Sequence, residues 1–393
     1  MSEPFMFEKP LGMRDVLPNL HSMQRKLGDR VLQEFRLWGY EQVQTPTLEY
    51  YETVGKASAI SDKQLFKLID FHGNTLVLRP DMTAPIARLV SSSMKDIPYP
   101  LRLSYCSSLY RALQTEGGRP AEFAQVGVEL VGDHTASADG EMLLLLNRAL
   151  IQAGLDHFQV AVGHIGFLNA LFLEIVGTEE RAELLRRQLY EKNDVGFKEQ
   201  VKAFGLSSID EKKLLKLSRL RGNEAILAEA EQLTESAEGK QAVAELRDLW
   251  QGLKEGGLTR YMKLDLSLVL HMSYYTGCIF EVYHDRLPRP LGGGGRYDHL
   301  LAKFGRPGPA TGFGLRLDLL AEAVGKLEVQ PKKRCLLYSR ERRQEAYRKA
   351  TALREKGMQV VLQDVAGVDD IDKMSASYEE IVYLIGKTEE GKR

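Results

Sequence analysis

The first 160 residues contain several short runs rich in β-branched and aromatic residues, and most of these runs are separated by turn residues rather than helices. Parallel strands need a long crossover connection between them, so runs joined this directly favour a mostly antiparallel sheet. A helix is predicted before them, over residues 21–38, because apolar residues recur there at helical spacing and Gly39 follows. The predicted strands cover residues 41–46, 64–69, 75–78, 101–105 and 123–131.

From residue 165 to about residue 257 the sequence becomes rich in Leu, Ala, Glu, Lys and Arg. We predict amphipathic helices at 179–190, 209–220 and 223–254, the last of them broken at least once. Sheet-like sequence returns at 262–270 and 274–282, so the helical stretch is an insertion into a sheet domain. These patterns predict an α+β fold in which residues 1–325 form one domain.

A second, smaller domain is predicted for residues 331–393. Strands at 335–338, 359–362 and 380–384 alternate there with helices near 340–356 and 367–375. This βαβαβ order is typical of a small α/β domain with a partly parallel sheet.

Composition and charge exclude several classes of protein. The 393 residues carry 53 Lys+Arg and 54 Asp+Glu, whereas nucleic-acid-binding domains are usually basic. No apolar stretch reaches the roughly 18 residues that a membrane span needs, and the N-terminus lacks the pattern of a secretory signal. The widely spaced Cys106, Cys278 and Cys335 and the eight histidines show no metal-ligand spacing. We expect a cytoplasmic protein without a metal or cofactor.

Four polar residues are candidates for the wall of an amino-acid-sized pocket. Asp81 and Thr83 are two residues apart, and Gln125 and Glu129 are four apart, so each pair shares a face if its chain is extended. Together they could accept hydrogen bonds from an ammonium group and a polar ring. The alternative is that they are solvated side chains on an exposed face.

Other segments add candidates but no catalytic residue. Arg111 precedes a loop with two glycines and could hold an anion, although surface arginines often do nothing specific. Tyr274 and Tyr275 would lie on opposite faces of a strand, so at most one would face a given pocket. The glycine run at 292–295 is either a tight turn or a pocket wall of closely approaching backbone. The wall would be formed by Gly293, Gly294 and Gly295.

Read together, these segments resemble the class II catalytic domain of histidyl-tRNA synthetases over roughly residues 5–325. The resemblance implies a six- or seven-stranded antiparallel sheet flanked by helices, a helical insertion, and a homodimer formed through residues 44–46. The matching stretches are Leu-Arg-Pro-Asp-Met-Thr-Ala at 78–84, Tyr-Arg at 110–111, Gly-Arg at 118–119, Phe-Ala-Gln-Val-Gly-Val-Glu at 123–129, Tyr-Tyr at 274–275, Gly-Gly-Gly-Arg-Tyr-Asp at 293–298 and Pro-Ala-Thr-Gly-Phe at 309–313.

Several of the groups with which those synthetases hold ATP and the substrate carboxylate are replaced in this chain, although Arg111 is kept. The resemblance places Leu113 and Gln114 at a glutamate and an arginine, and Leu270 and Leu319 at two further arginines. Removing one preorganised charged contact to a developing phosphate anion costs about 3 kcal/mol, or about 10²–10³ in rate. We therefore expect a chain that binds histidine without activating it.

A catalytically silent chain of this kind resembles the regulatory subunits of short-form ATP phosphoribosyltransferase. That resemblance implies a partner catalytic subunit, the first step of histidine biosynthesis, and feedback inhibition by histidine. The residues that it implies for histidine binding are Asp81, Thr83, Arg111, Gln125, Glu129 and Tyr274 or Tyr275.

Three alternatives remain open from the sequence. The first is an active histidyl-tRNA synthetase, which would show histidine-dependent ATP–pyrophosphate exchange. The second is a tRNA-binding sensor module, for which a salt-dependent tRNA complex would be the sign. The third is a dimeric scaffold with a vestigial pocket, whose partner binding would not respond to histidine.

Overall fold

A nine-stranded sheet is the centre of the larger of two compact units in the structure, a computed structural model that describes residues 6–112, 120–270, 273–325 and 333–386. The larger unit comprises residues 1–16 and 24–325, and the smaller one comprises residues 17–23 and 326–393. Over the described residues, no helix is long and apolar enough to cross a membrane.

The central sheet has the strand order β1-β5-β6-β12-β11-β10-β7-β9-β8. Its strands are β1 (Glu41–Gln42), β5 (Leu101–Tyr110), β6 (Glu122–Val131), β7 (Gln159–His164), β8 (Arg221–Gly222), β9 (Met262–Asp265), β10 (Cys278–Tyr283), β11 (Gly292–Arg296) and β12 (Ala310–Arg316).

Most neighbouring strands of this sheet are antiparallel, as the sequence predicts. The seven longer strands match the expected number, and two-residue strands, β1 and β8, lie at the two edges. Two pairs are parallel, because β1 runs parallel to β5 and β7 runs parallel to β9. The helical insertion follows β7 and supplies the long crossover that the second of these pairs requires.

Among the described residues up to position 160 there are three α-helices, whereas the sequence predicts one or two. They are α1 (Pro18–Leu37), α2 (Thr83–Ser91) and α3 (Ala136–Ala153). In α3 the buried residues include consecutive pairs such as Leu145 and Leu146, so the helix lacks the narrow apolar stripe that makes a helix visible in a sequence.

Residues 48–78 contain the strands of a second sheet, which is three-stranded and antiparallel. Its strands are β2 (Leu48–Tyr50), β3 (Lys67–Ile69) and β4 (Thr75–Leu78), in the order β2-β4-β3. Glu49 and Val77 on one face are buried, whereas Leu48, Tyr50 and Leu68 are exposed. The sheet therefore has an exposed apolar face.

The insertion is helical, as predicted, and contains six helices. Four of them are capped by a Thr, Ser or Asn whose side chain accepts a hydrogen bond from a backbone N–H of the first turn. The predicted break in residues 223–254 is confirmed, since two helices occupy that range. The six helices are α4 (Ile165–Val176), α5 (Glu179–Tyr190), α6 (Asp194–Ala203), α7 (Ser208–Leu217), α8 (Ala225–Glu231) and α9 (Ala237–Glu255), and α10 (Leu317–Val324) follows β12.

Over residues 333–386, which the structure describes, the smaller unit contains a three-stranded parallel sheet and two α-helices. Its strands are β13 (Arg334–Tyr338), β14 (Val360–Asp364) and β15 (Glu380–Leu384), and its helices are α11 (Arg343–Glu355) and α12 (Ile371–Ser375). The strand order β14-β13-β15, with both pairs parallel, agrees with the predicted βαβαβ pattern.

Candidate functional site

A small cavity lies on one face of the central sheet, over β6, β11 and β12. Its volume is about 50 Å³, which is room for only a few water molecules. Its walls include all seven side chains that the sequence singles out and one of the three glycines. These are Asp81, Thr83, Arg111, Gln125, Glu129, Tyr274, Tyr275 and Gly293.

The floor of the cavity is built from residues that alternate along the strands. Gln125 and Glu129 on β6 share a face, as predicted for residues four apart on an extended chain. Directly opposite Glu129 on β12 is Gly312. A Cβ atom on Gly312 would lie 2.0 Å from Oε2 of Glu129, so only glycine leaves space for this carboxyl.

The glycine run at 292–295 forms strand β11, so the prediction of a tight turn is wrong. These glycines pair with β10 and β12 on either side. A Cβ atom at any of the four positions would lie 2.0–2.5 Å from a backbone oxygen of a neighbouring strand. Gly293 borders the cavity. Gly294 pairs with Phe313 and faces the other side of the sheet, and Gly295 lies against Cys278 and Ile279 of β10.

Glu129 is the most buried acidic group of the cavity, with 2% of its surface exposed. Its Oε1 accepts a hydrogen bond from the Thr83 hydroxyl (2.9 Å), and its Oε2 accepts one from the Tyr297 hydroxyl (2.6 Å). Burial raises the pKa of Glu129 to about 7, although these two hydrogen bonds oppose the rise. The carboxyl can therefore gain or lose a proton near neutral pH.

Asp81 and Thr83 reach the cavity from the start of α2 and not from an extended strand, so their predicted geometry is wrong although both line the site. Asp81 Oδ1 accepts a hydrogen bond from the backbone N–H of Ala84 (2.9 Å), which fixes the first turn of the helix. Its Oδ2 accepts a hydrogen bond from the Ser58 hydroxyl. The first turn thus orients Asp81 and Thr83 together.

Arg111 is the one basic residue among the described residues that line the cavity. Its Nε donates to the backbone oxygen of Pro80 (3.0 Å), and its guanidinium packs over the ring of Phe123. Arg316 packs over the same ring, but Asp318 accepts hydrogen bonds from its Nε (3.1 Å) and Nη2 (2.6 Å). Arg111 is therefore the cation of the site that can meet an anionic ligand.

Both tyrosines of the 274–275 pair line the cavity, so the prediction that only one could do so is wrong. The predicted strand begins at Cys278 rather than at Tyr274, and the pair lies in the preceding loop, where face alternation does not apply. The two rings meet edge to face with their centroids 5.1 Å apart. Burial raises the pKa of both hydroxyls, so they stay protonated.

Sequence reasoning missed two tyrosines of the cavity, Tyr105 and Tyr297. Tyr105 donates a hydrogen bond to Oε1 of Gln125 (3.0 Å), and Tyr297 donates to Glu129. A signal for Tyr297 was present, because it follows Gly293 by an even number of residues on the same extended chain. Leu113 and Gln114, which the resemblance places at a glutamate and an arginine, lie outside the described residues.

Two family models match the chain. The model described as "Histidyl-tRNA synthetase" matches residues 12–320, which include the whole cavity. The model described as "Histidyl-tRNA synthetase HisZ, C-terminal domain" matches residues 335–386 of the smaller unit.

Relatives and solved structures are similar over almost the whole chain. An ATP phosphoribosyltransferase regulatory subunit from Halalkalibacterium halodurans is 56% identical over 393 residues, which are 100% of this chain and 99% of the relative. A crystal structure of an ATP phosphoribosyltransferase regulatory subunit/histidyl-tRNA synthetase from Bacillus halodurans has 56% identity and a TM-score of 0.91, covering 98% of this chain and 100% of its own. A histidyl-tRNA synthetase from Nostoc sp. is similar in fold, with 19% identity and a TM-score of 0.78 over 95% of this chain and 89% of its own.

Proposed function

Because the chain belongs to the family of ATP phosphoribosyltransferase regulatory subunits, which share the fold of histidyl-tRNA synthetases, we propose that L-histidine is its effector and binds in the cavity around Glu129. Family membership confirms the non-catalytic regulatory subunit predicted from the sequence, in preference to an active synthetase. The proposed partner is the short-form catalytic subunit in the cytoplasm, and the proposed role is feedback control of the first step of histidine biosynthesis.

The observation that carries the proposal is the buried carboxyl of Glu129 with its two hydroxyl partners. Each oxygen of an ionised carboxyl has about two acceptor positions, and Thr83 and Tyr297 use one on each oxygen. An imidazole N–H can therefore donate a third hydrogen bond. The ordinary pKa of imidazole is about 6.5, close to the pKa of about 7 for Glu129, so ligand and carboxyl can share one proton.

The remaining polar groups suit the two ends of an amino acid. Asp81 and Gln125 offer oxygen atoms to an ammonium group, as Thr83 does with its second lone pair. Only Nε of Arg111 has a hydrogen-bond partner among the described residues, which leaves the terminal nitrogens for a carboxylate. One acidic end, one basic end and a central Glu129 favour a small zwitterion with a polar ring.

The same geometry supports binding without adenylation. The cavity of about 50 Å³ has to widen to admit histidine, and a nucleotide beside it would need far more space. Arg316, the arginine nearest to the missing ATP contact at Leu319, is held in a two-point ion pair with Asp318. A guanidinium that already binds an internal carboxylate is a poor phosphate ligand.

A homodimer is the second proposed interaction, and the exposed face of the three-stranded sheet supports it. Register places Leu48 opposite Leu78, and Tyr50 and Leu68 opposite Leu76, so five apolar side chains share one face. Leu48, Tyr50 and Leu68 are 44%, 55% and 44% exposed. Contiguous apolar surfaces of this kind mark interfaces, and this one follows directly after the 44–46 segment expected at the dimer contact.

The test combines binding with reconstitution. Calorimetry of the wild-type chain should detect histidine binding. A mixture of the chain with a short-form catalytic subunit from the same source should form phosphoribosyl-ATP at a rate that falls as the histidine concentration rises. Glu129→Ala should weaken both effects at least tenfold, because hydrogen bonds to a charged group contribute about 1.5–3 kcal/mol. Glu122→Ala, at an exposed carboxyl on the same strand, is the matched control.

Three outcomes would contradict the proposal. Histidine inhibition that Glu129→Ala leaves unchanged would move the histidine site elsewhere. A catalytic subunit that neither gains activity from the chain nor co-elutes with it would remove the proposed partner. Histidine-dependent ATP–pyrophosphate exchange by the purified chain would reinstate the synthetase.

A further inference from the structure

The loop that carries Tyr274 and Tyr275 is tied to the sheet at the residue that follows them. The backbone N–H of Thr276 donates to the backbone oxygen of Arg296 (2.8 Å), and its hydroxyl donates to Oδ2 of Asp298 (2.8 Å). The same hydroxyl accepts a hydrogen bond from the backbone N–H of Asp298 (3.2 Å). Thr276 thus uses its hydroxyl as donor and acceptor at once.

The preceding residues of the loop, 273–275, form fewer hydrogen bonds. Among the described residues, no backbone hydrogen bond is formed by Ser273, Tyr274 or Tyr275. The tyrosine rings contact each other, and Tyr274 also contacts Tyr297, with centroids 5.5 Å apart. Tyr274 is also hydrogen-bonded with Thr83, and Thr276 is the residue that holds the backbone next to the two tyrosines against the sheet.

The anchor for Thr276 is itself rigid. Arg296 forms a buried ion pair with Asp139 of α3 (2.8 Å) and donates to the backbone oxygens of Asp133 (3.0 Å) and Thr135 (2.9 Å). Arg296 also has a weaker contact with Asp298 (3.4 Å). Four neighbouring groups therefore hold its guanidinium in place.

One strand end joins this anchor to the ligand cavity. Arg296, Tyr297 and Asp298 are consecutive, and alternation on an extended chain sends Tyr297 to one face and its neighbours to the other. Tyr297 donates to Glu129 in the cavity, whereas Arg296 and Asp298 border a separate cavity of about 670 Å³ on the opposite face. The contacts of Glu129 and of the tyrosine loop thus depend on the same three residues.

We propose that Thr276 and Asp298 are positioning residues for histidine binding, which act through Tyr274 and Tyr275 without touching the ligand. The inference rests on the proposed function, since it concerns the same cavity. Residue chemistry explains the pair, because the single oxygen of a hydroxyl can donate to the Asp298 carboxylate and accept from its backbone N–H simultaneously. A carboxylate acceptor strengthens the first of these bonds.

Thr276→Val tests the proposal, since valine keeps the shape of threonine and removes the hydroxyl. Calorimetric titration should show the dissociation constant for histidine rising about tenfold, in the range expected for a lost hydrogen bond to a charged group that is partly open to water. Thr276→Ser should restore binding to within about threefold of wild type, a rescue that general destabilisation would not produce. Ser207→Ala in the helical insertion removes a comparable hydroxyl, which donates to Oδ2 of Asp210 (2.7 Å) and accepts from its backbone N–H (3.1 Å), and should leave histidine binding unchanged.

A parallel pair at the carboxylate keeps the test decisive if the valine variant does not fold. Asp298→Asn keeps an oxygen for the Thr276 hydroxyl and should bind histidine better than Asp298→Ala. Wild-type affinity in folded Thr276→Val or Asp298→Ala, with Glu129→Ala still impaired, would overturn this inference alone. Absence of histidine binding by the wild-type chain would overturn the proposed function as well.

Discussion

Replacing Glu129 by Gln should change how the stability of the protein depends on pH. The pKa of Glu129 rises from 4.5 to about 7 in the folded chain, and burial is the main cause. The folded state therefore holds a proton that the unfolded state has already released. Its favourable contribution is complete below about pH 4.5, falls as the pH rises through about 7, and becomes a constant cost above that.

The magnitude follows from these two pKa values. Each pKa unit corresponds to about 1.4 kcal/mol, so the full change is about 3 kcal/mol, of which about 2 kcal/mol falls between pH 5.5 and pH 8. Glutamine has no such proton, so the variant should gain about 2 kcal/mol relative to wild type over this interval. With an unfolding entropy of about 2.1 cal/mol/K per residue over about 300 residues, the gain corresponds to roughly 3 °C in Tm.

Thermal melting followed by circular dichroism, in matched buffers at pH 5.5, 6.5, 7.5 and 8, measures this difference. The subtraction of two melting curves at each pH cancels every titrating group that the two proteins share. Glu122→Gln on the exposed start of β6 supplies the control and should give a flat difference. A flat difference for Glu129→Gln too would refute the argument that burial governs this carboxyl.

Two other changes probe the floor of the cavity and the dimer surface. Gly312→Ala should abolish detectable histidine binding and lower stability by about 1–3 kcal/mol, because its Cβ would lie 2.0 Å from Glu129 Oε2. Calorimetry measures the binding, and melting curves measure the stability. Gly252→Ala, with nothing within 4 Å of its Cβ in helix α9, should instead stabilise the chain by up to about 1 kcal/mol. Leu68→Glu should convert the proposed dimer to a monomer in light scattering, while Lys212→Glu in α7 should not. Equal masses for the two variants would exclude this face from the interface.

Local patterns predicted the secondary structure best where a single element carries its own signal. Strands β4 and β15 and helix α5 have the predicted bounds to the residue. Each is a short amphipathic or β-branched run with turn or capping residues on both sides, so nothing outside it is needed to define it. Helix α3 was not predicted, because it is buried on most sides and its apolar residues form no stripe along one face.

The polar residues of the cavity were predictable as a set, but their arrangement was not. Gln125 and Glu129 share a face because both lie on β6, which the sequence marks clearly. The glycines of β11 are strand residues only because β10 and β12 pair with them, and glycine by itself disfavours a strand. Tyr105 escaped notice for a related reason, since its partner Gln125 lies on the neighbouring strand.

The hydrogen bonds of the cavity connect it to one strand end of the central sheet. Glu129 and the loop of Tyr274 and Tyr275 meet at one strand end, where Tyr297 serves the carboxyl and Asp298 serves the loop. A histidine that contacts both therefore favours one arrangement of this strand end over any other. Linkage is reciprocal, so a catalytic subunit that binds this arrangement preferentially must tighten histidine binding by the same factor. Titration of histidine with and without the partner measures that factor directly, and a ratio of one would mean that histidine binding and partner binding are independent.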